Sequence, residues 1–214
     1  MSLQVKELYK KYEAEFMDLS LAYKVPIPTI LAVLQVETND DDGFDNKTGR
    51  LIIRFEAHKF IKYCGDSVKH IADSMFRYNA EKPWKEQQFR ALNVDTFMSY
   101  HGNQSKENDV FNFCIEVDEL AAFKSISMGL PQIMGFNYLR LEFTTPMEMY
   151  YNFNMGVVNQ IEGMFKFMDY PMLHGLRSRN FEAFARGYNG SGQARRYGDM
   201  IGVAEREIAA WFEG

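Results

Sequence analysis

The run Pro28 to Val36, PTILAVLQV, is the feature that most constrains the fold. Thr29, Ile30, Ala32, Val33 and Val36 place small and apolar side chains on several faces of one helix. A surface helix carries a single apolar stripe, whereas a helix that is apolar all round belongs in a protein interior. Pro28 suits the first turn, where its missing N–H is not needed. The helix ends in Glu37, and Thr38, Asn39, three aspartates and Gly43 follow. A carboxyl at the end of a buried helix meets the interior on one side. Partial burial raises its pKa and keeps a proton available near neutral pH. A solvated glutamate at a helix end is the plainer alternative.

A second apolar run, Leu51 to Phe55, is rich in branched and aromatic residues and favours a strand. Asn46-Lys47-Thr48-Gly49 before it is a turn signal. A short β-hairpin with Phe44 on its first arm is predicted. Glu56 closes this run, so two carboxylates end two apolar elements. That pairing suits general acid–base work. The expected division of roles has Glu37 protonated in a drier wall and Glu56 ionised in a wetter one. Asp40, Asp41 and Asp42 are alternative bases. Glu56 could instead serve as a helix-start charge, or bind Arg54 or His58.

The remainder reads mainly as helix, giving an α+β protein dominated by α. Helices are predicted over residues 3–23, 57–64, 108–123, 180–187 and 197–212, with another starting in 93–97. Thr145-Pro146-Met147-Glu148 opens a further one with a capping box. Along 108–123 the inward stripe is Val110, Phe111, Cys114, Val117, Leu120 and Ala121. Met147, Met149, Met155, Met164 and Met168 are expected to fill core gaps. The run Ser125 to Tyr138 is too polar and glycine-rich for pure core. Its glycines permit close approach of backbone to a ligand. Ser127, Gln132, Asn137 and Tyr138 offer donors and acceptors suited to a polymer of hydroxyl and N-acetyl groups. A tight corner satisfied by its own side chains is the alternative. Tyr188 to Gln193 is a glycine-rich loop without the context of a phosphate motif.

Composition bounds the rest. The 214 residues are 46% hydrophobic, enough for one large domain spanning 1–214. No linker or internal repeat divides them. A net charge of -5 argues against a nucleic-acid partner. His58, His70, His101 and His174 lack ligand spacing, so no metal or cofactor is expected, and an amidase or metallopeptidase is disfavoured. Cys64 and Cys114 read as buried free thiols of a reducing compartment, with their pairing left open. The N-terminus lacks a signal-peptide core and no apolar stretch spans a bilayer, so stable membrane insertion is not expected. The chain is expected to be a monomer that stays in the cytoplasm until another route takes it out.

Several segments resemble one family in the expected order. They are Val36-Glu37-Thr38, Gly43-Phe44, Phe55 to His58 with Phe60, Ser127 to Tyr138, and Phe184 to Gly190. Together they resemble the bacteriophage endolysins of the N-acetylmuramidase family, and more distantly goose-type lysozymes and lytic transglycosylases. The resemblance implies a lysozyme-like helical domain with a small β-hairpin beside an active-site cleft. It implies peptidoglycan as substrate, Glu37 as the catalytic acid, and Gln132, Tyr138, Tyr188 and Asn189 along the sugar groove. The product chemistry stays open between muramidase hydrolysis and a transglycosylase's 1,6-anhydro product. A non-catalytic wall-binding or phage structural protein is a third class, disfavoured by the presence of both Glu37 and Glu56. The family often has Trp where Met128 stands and a second aromatic where Pro131 stands, so one stacking surface is expected to be weaker. Many relatives carry a separate wall-binding domain, and none is expected in these 214 residues.

Overall fold

The computed structural model describes residues 2–37 and 43–213. Asp40, Asp41 and Asp42, the alternative bases, lie outside the described residues. The chain forms two compact units: Met1–Asp42 with Ile161–Gly214, and Gly43–Gln160.

The first unit is helical. Helices α1 (Leu3–Lys11), α2 (Glu13–Tyr23) and α3 (Ile27–Glu37) open it. The single helix expected over 3–23 breaks at Tyr12, whose backbone (φ -127°, ψ 34°) leaves the helical region. Lys24, in the left-handed region, ends α2 ahead of Pro26. In α3 every residue from Thr29 to Leu34 is buried, as its all-round apolar pattern predicts. It packs on α12 (Ala194–Glu213), which in turn packs on α11 (Phe181–Tyr188), and α11 on α10 (Tyr170–Arg177). Gly198 lets α12 approach closely, because a Cβ there would stand 2.7 Å from the backbone nitrogen of Glu182.

The second unit is mixed. Strand β1 (Ile53–Phe55) leads into α4 (Ala57–Tyr63) and α5 (Asp66–Met75). Short strands β2 (Phe76–Arg77), β3 (Gln88–Phe89) and β4 (Met98–Ser99) form an antiparallel sheet. Then come α6 (Gln104–Val117), α7 (Glu119–Lys124), β5 (Ile126–Met128), β6 (Ile133–Met134), a 3-10 helix (Gly135–Leu141) and α8 (Pro146–Asn154). Helix α9 (Val157–Phe167) carries the chain from Gln160 into Ile161 of the first unit. Among the described residues no single helix is long and apolar enough to cross a membrane.

The short hairpin expected with Phe44 on its first arm is present as the antiparallel bridge of Phe44 with Leu51, closed by a turn in which Asp45 accepts from Thr48. Other sequence expectations need correction. The main partner of β1 is β5, from the segment read as a ligand loop, in the order β1-β5-β6. The helix expected over 108–123 starts at Gln104, capped by Asn103, and divides at Asp118. Asp118 accepts from both Ala121 and Gly65, which ends one helix and starts the next. That break leaves Leu120 exposed rather than inward. Residues 93–97 form no helix. There Asp95 accepts from the Leu92 amide, and Phe97 lies between the guanidinium groups of Arg77 and Arg90, 4.3 and 4.5 Å from its ring centroid. Finally, Met149, Met164 and Met168 are core, but Met155 at the end of α8 is exposed.

Other features follow the sequence. Thr145 caps α8 by accepting from the Glu148 amide at 3.0 Å. Glu148 reaches back one residue further than a standard capping box, to the amide and hydroxyl of Thr144. Cys64 and Cys114 are both buried and free, and burial pushes each thiol up.

Candidate active site

Glu37 is the last residue of α3, half-buried where the apolar helix ends. It is met by the end of α11. Tyr188 closes that helix, with its ring stacked on Phe184 at 5.4 Å and edge-on to Phe167 at 6.2 Å. The helix stops because Gly190 takes a positive φ of 85°, a conformation that costs glycine little. Asn189, the residue between them, bonds its own amide to the Ala185 carbonyl at 2.8 Å. Its side chain is thereby fixed, and Nδ2 donates to Glu37 Oε2 at 2.8 Å. The two partners are 152 residues apart in the chain.

Burial raises the Glu37 pKa, and the Asn189 hydrogen bond pulls it partly back. Burial dominates because a charge loses more on leaving water than one neutral donor returns. Among the described residues Glu37 Oε1, Tyr188 Oη and Asn189 Oδ1 are buried without a hydrogen-bond partner. Each such atom costs about 1–3 kcal/mol in a fold that does not use it. One on the carboxyl itself and two beside it leave polar groups open to a ligand. Burial also raises the Tyr188 pKa, with the Glu37 charge adding to it, so its hydroxyl keeps its proton.

Glu56 has a different setting, in the second unit. It is the N-cap residue of α4, and its side chain does not cap. Arg54 Nε donates to Oε1 at 2.9 Å and Gln87 Nε2 donates to Oε2 at 2.5 Å. His58 Nδ1 lies 3.4 Å from Oε2 without hydrogen-bond geometry. The expectation of a wetter wall for Glu56 is corrected: its side chain is only 12% exposed. Protein donors and a guanidinium, rather than bulk water, surround the carboxylate.

The remaining candidates fall near this carboxylate's strand or beyond it. Ser127 on β5 stands directly opposite Arg54 on β1. Directly opposed residues share one face of a sheet. Ser127 Oγ donates to Gln132 Oε1 at 3.0 Å, and Gln132 Nε2 donates to the Gly129 carbonyl at 2.7 Å. This corner thus satisfies part of its own polarity, while Gln132 itself stays exposed. Asn137 and Tyr138 are half-buried on the 3-10 helix. Met128, weighed as a stacking position, is fully buried and offers no surface to a sugar.

The Arg54 contact with Glu56, an alternative open in the sequence, is present, since residues two apart on a strand share a face. Sequence reading missed Gln87, Tyr100 and Glu107, for which no local signal exists. Helix α6 completes the outer edge of β1 with side chains: Gln104 bonds both the amide and the carbonyl of Ile53, and Glu107 accepts from the Phe55 amide at 2.9 Å. His101 Nδ1 lies 2.8 Å from the other oxygen of Glu107.

A buried carboxyl at the end of an apolar helix is suited to proton donation as a general acid. Residues 26–205 match the family model of the N-acetylmuramidases, and the chain belongs to that family. It is a muramidase, and its substrate is peptidoglycan. The fold is similar to the crystal structure of Burkholderia AP3 phage endolysin, with a TM-score of 0.72 and 24% identity over 92% of this chain and 71% of that one. No curated protein matches the chain. The N-acetylmuramidase resemblance read from the sequence motifs is thereby borne out.

Proposed function

We propose that the chain hydrolyses the β-1,4 bond between N-acetylmuramic acid and N-acetylglucosamine, with Glu37 as the general acid. The carrying observation is the burial of Glu37, which raises its pKa while Asn189 holds one oxygen in a fixed direction. An acid of that kind delivers a proton to the departing sugar oxygen as the glycosidic bond breaks. Tyr188 and Asn189 carry buried, uncommitted polar atoms beside it, and we assign these to the sugar. In this reading Ser127, Gln132, Asn137 and Tyr138 of the second unit also bind the sugar polymer. As base the reading takes Glu56, a carboxylate gripped by Arg54 and Gln87, which activates water and inverts the anomeric centre. By likeness to the phage endolysin, the place of action is the wall of an infected bacterium, reached from the cytoplasm.

Digestion of peptidoglycan in heavy-oxygen water tests this. The expected product is a reducing muramic acid carrying the heavy oxygen, seen first as the α anomer. An anhydromuramic product refutes hydrolysis in favour of a lytic transglycosylase. Near-normal lysis by folded Glu37→Gln refutes the acid.

A further inference from the structure

Glu56 is held through a relay whose parts come from separate stretches of the second unit. Gln87 lies just ahead of β3 and is 2% exposed. Its Oε1 accepts from the Ala57 amide at 2.6 Å and from the Tyr100 hydroxyl at 3.0 Å. Ala57 begins α4, where an amide has no intrahelical acceptor, so this donor has a fixed use. The Tyr100 hydroxyl is buried, and its other neighbour is the Phe55 carbonyl at 3.3 Å, a pure acceptor. The Ala57 amide can only donate, so it settles the amide orientation and leaves the NH2 group facing Glu56, while the Tyr100 hydroxyl, whose one proton is shared between Gln87 and the Phe55 carbonyl, adds a second contact to the same oxygen. An NH2 group donates and does not accept. Arg54 Nε, at the other oxygen, also only donates.

We propose that Gln87 is a positioning residue for Glu56: locked by Ala57 and Tyr100, it holds Glu56 as an acceptor-only carboxylate in one orientation. The inference rests on the base role assigned to Glu56 above. It also gives a purpose to the β2-β3-β4 sheet. Glu86, immediately before Gln87, takes a left-handed φ of 59° that turns the chain at this point. Two residues after Gln87, Phe89 anchors β3 against Phe76 and Phe113, each with centroids 5.4 Å away. The excursion therefore carries one buried side chain to the carboxylate and pins the strand that follows it.

Gln87→Glu keeps the shape and replaces the donating NH2 by a carboxyl oxygen. That oxygen and Glu56 then share a proton, as two adjacent carboxylates must. The other groups near Glu56 are Arg54 on β1, His58 on α4, which also feels the Lys59 charge, and Tyr100, which also feels Glu107 of α6. All are unchanged in the variant. The expected result is an acidic limb of the kcat–pH profile shifted up by about one unit or more, with KM within about twofold of the parent. Tyr100→Phe removes one lock without adding charge, and its acidic limb moves in the same direction by less. A folded Gln87→Glu enzyme whose kcat falls evenly at every pH overturns the proposal and leaves Gln87 a packing residue. Should Gln87→Glu fail to fold, an unmoved profile in Tyr100→Phe overturns it. Wild-type turnover by Glu56→Gln is a separate result, which removes the base assignment itself.

Discussion

Replacing Asn189 by Leu tests the electrostatic reasoning about Glu37 most directly. The substitution is close in volume and removes the Nδ2 donor that lies 2.8 Å from Glu37 Oε2. That hydrogen bond favours the ionised carboxylate and opposes the effect of burial. Hydrogen bonds to charged groups are worth about 1.5–3 kcal/mol. At about 1.4 kcal/mol per pKa unit this is roughly one to two units. Glu37 is only half-buried, so water replaces part of the lost donor and the lower end applies, about one unit. The sign is upward, since the ionised form loses its partner and the protonated form does not. The alkaline limb of the kcat/KM profile, where the general acid loses its proton, is expected to move up by about one unit. The plateau is expected to fall as well, because a weaker acid transfers its proton less readily and the substitution also removes the Oδ1 assigned to the sugar. The assay is initial-rate clearing of purified peptidoglycan across pH, with circular dichroism to confirm folding. An alkaline limb that stays in place or moves down in the folded variant refutes the argument, and with it Asn189 as the group that tunes Glu37.

Two further outcomes concern stability. The folded-state pKa of Glu37 lies above the ordinary 4.5, so the unfolded chain gives up this proton first. Ionisation therefore favours the unfolded state, and stability is lost as pH rises from 4.5 through the folded value. Glu37→Gln should accordingly be more stable than the parent at neutral pH and equal to it in acid, as read by urea denaturation; a neutral-pH difference of the opposite sign contradicts the burial assignment. Gly135→Ala places a Cβ 2.0 Å from the Phe123 carbonyl oxygen, a backbone atom that cannot rotate aside. A loss of at least about 1–3 kcal/mol is expected by the same measurement, and a change below about 0.5 kcal/mol shows that the corner yields freely.

How much was legible in the sequence follows from the range of each interaction. Helix α3 was readable because burial on every face is written in consecutive residues, and the acid at its end came with it. Thr145 and Asn180 cap their helices from three residues away, so those starts are local facts. The Asn103 cap, which adds the first turn of α6, is just as local. The partner of β1 was not readable. Ile53 to Phe55 pair with Ile126 to Met128, and no local signal tells a strand to prefer a distant segment over the hairpin beside it. The same limit applies to the site. Glu37 could be nominated from its helix, but the donor that tunes it stands 152 residues away. Glu56 could be nominated from its strand, yet its exclusion from water and the Gln87 contact depend on chain brought in from 31 residues on. The sequence by itself determined which carboxyls end apolar elements. Tertiary structure decided their surroundings, because desolvation and donor placement are properties of whatever packs against a side chain, and those neighbours come from remote parts of the chain.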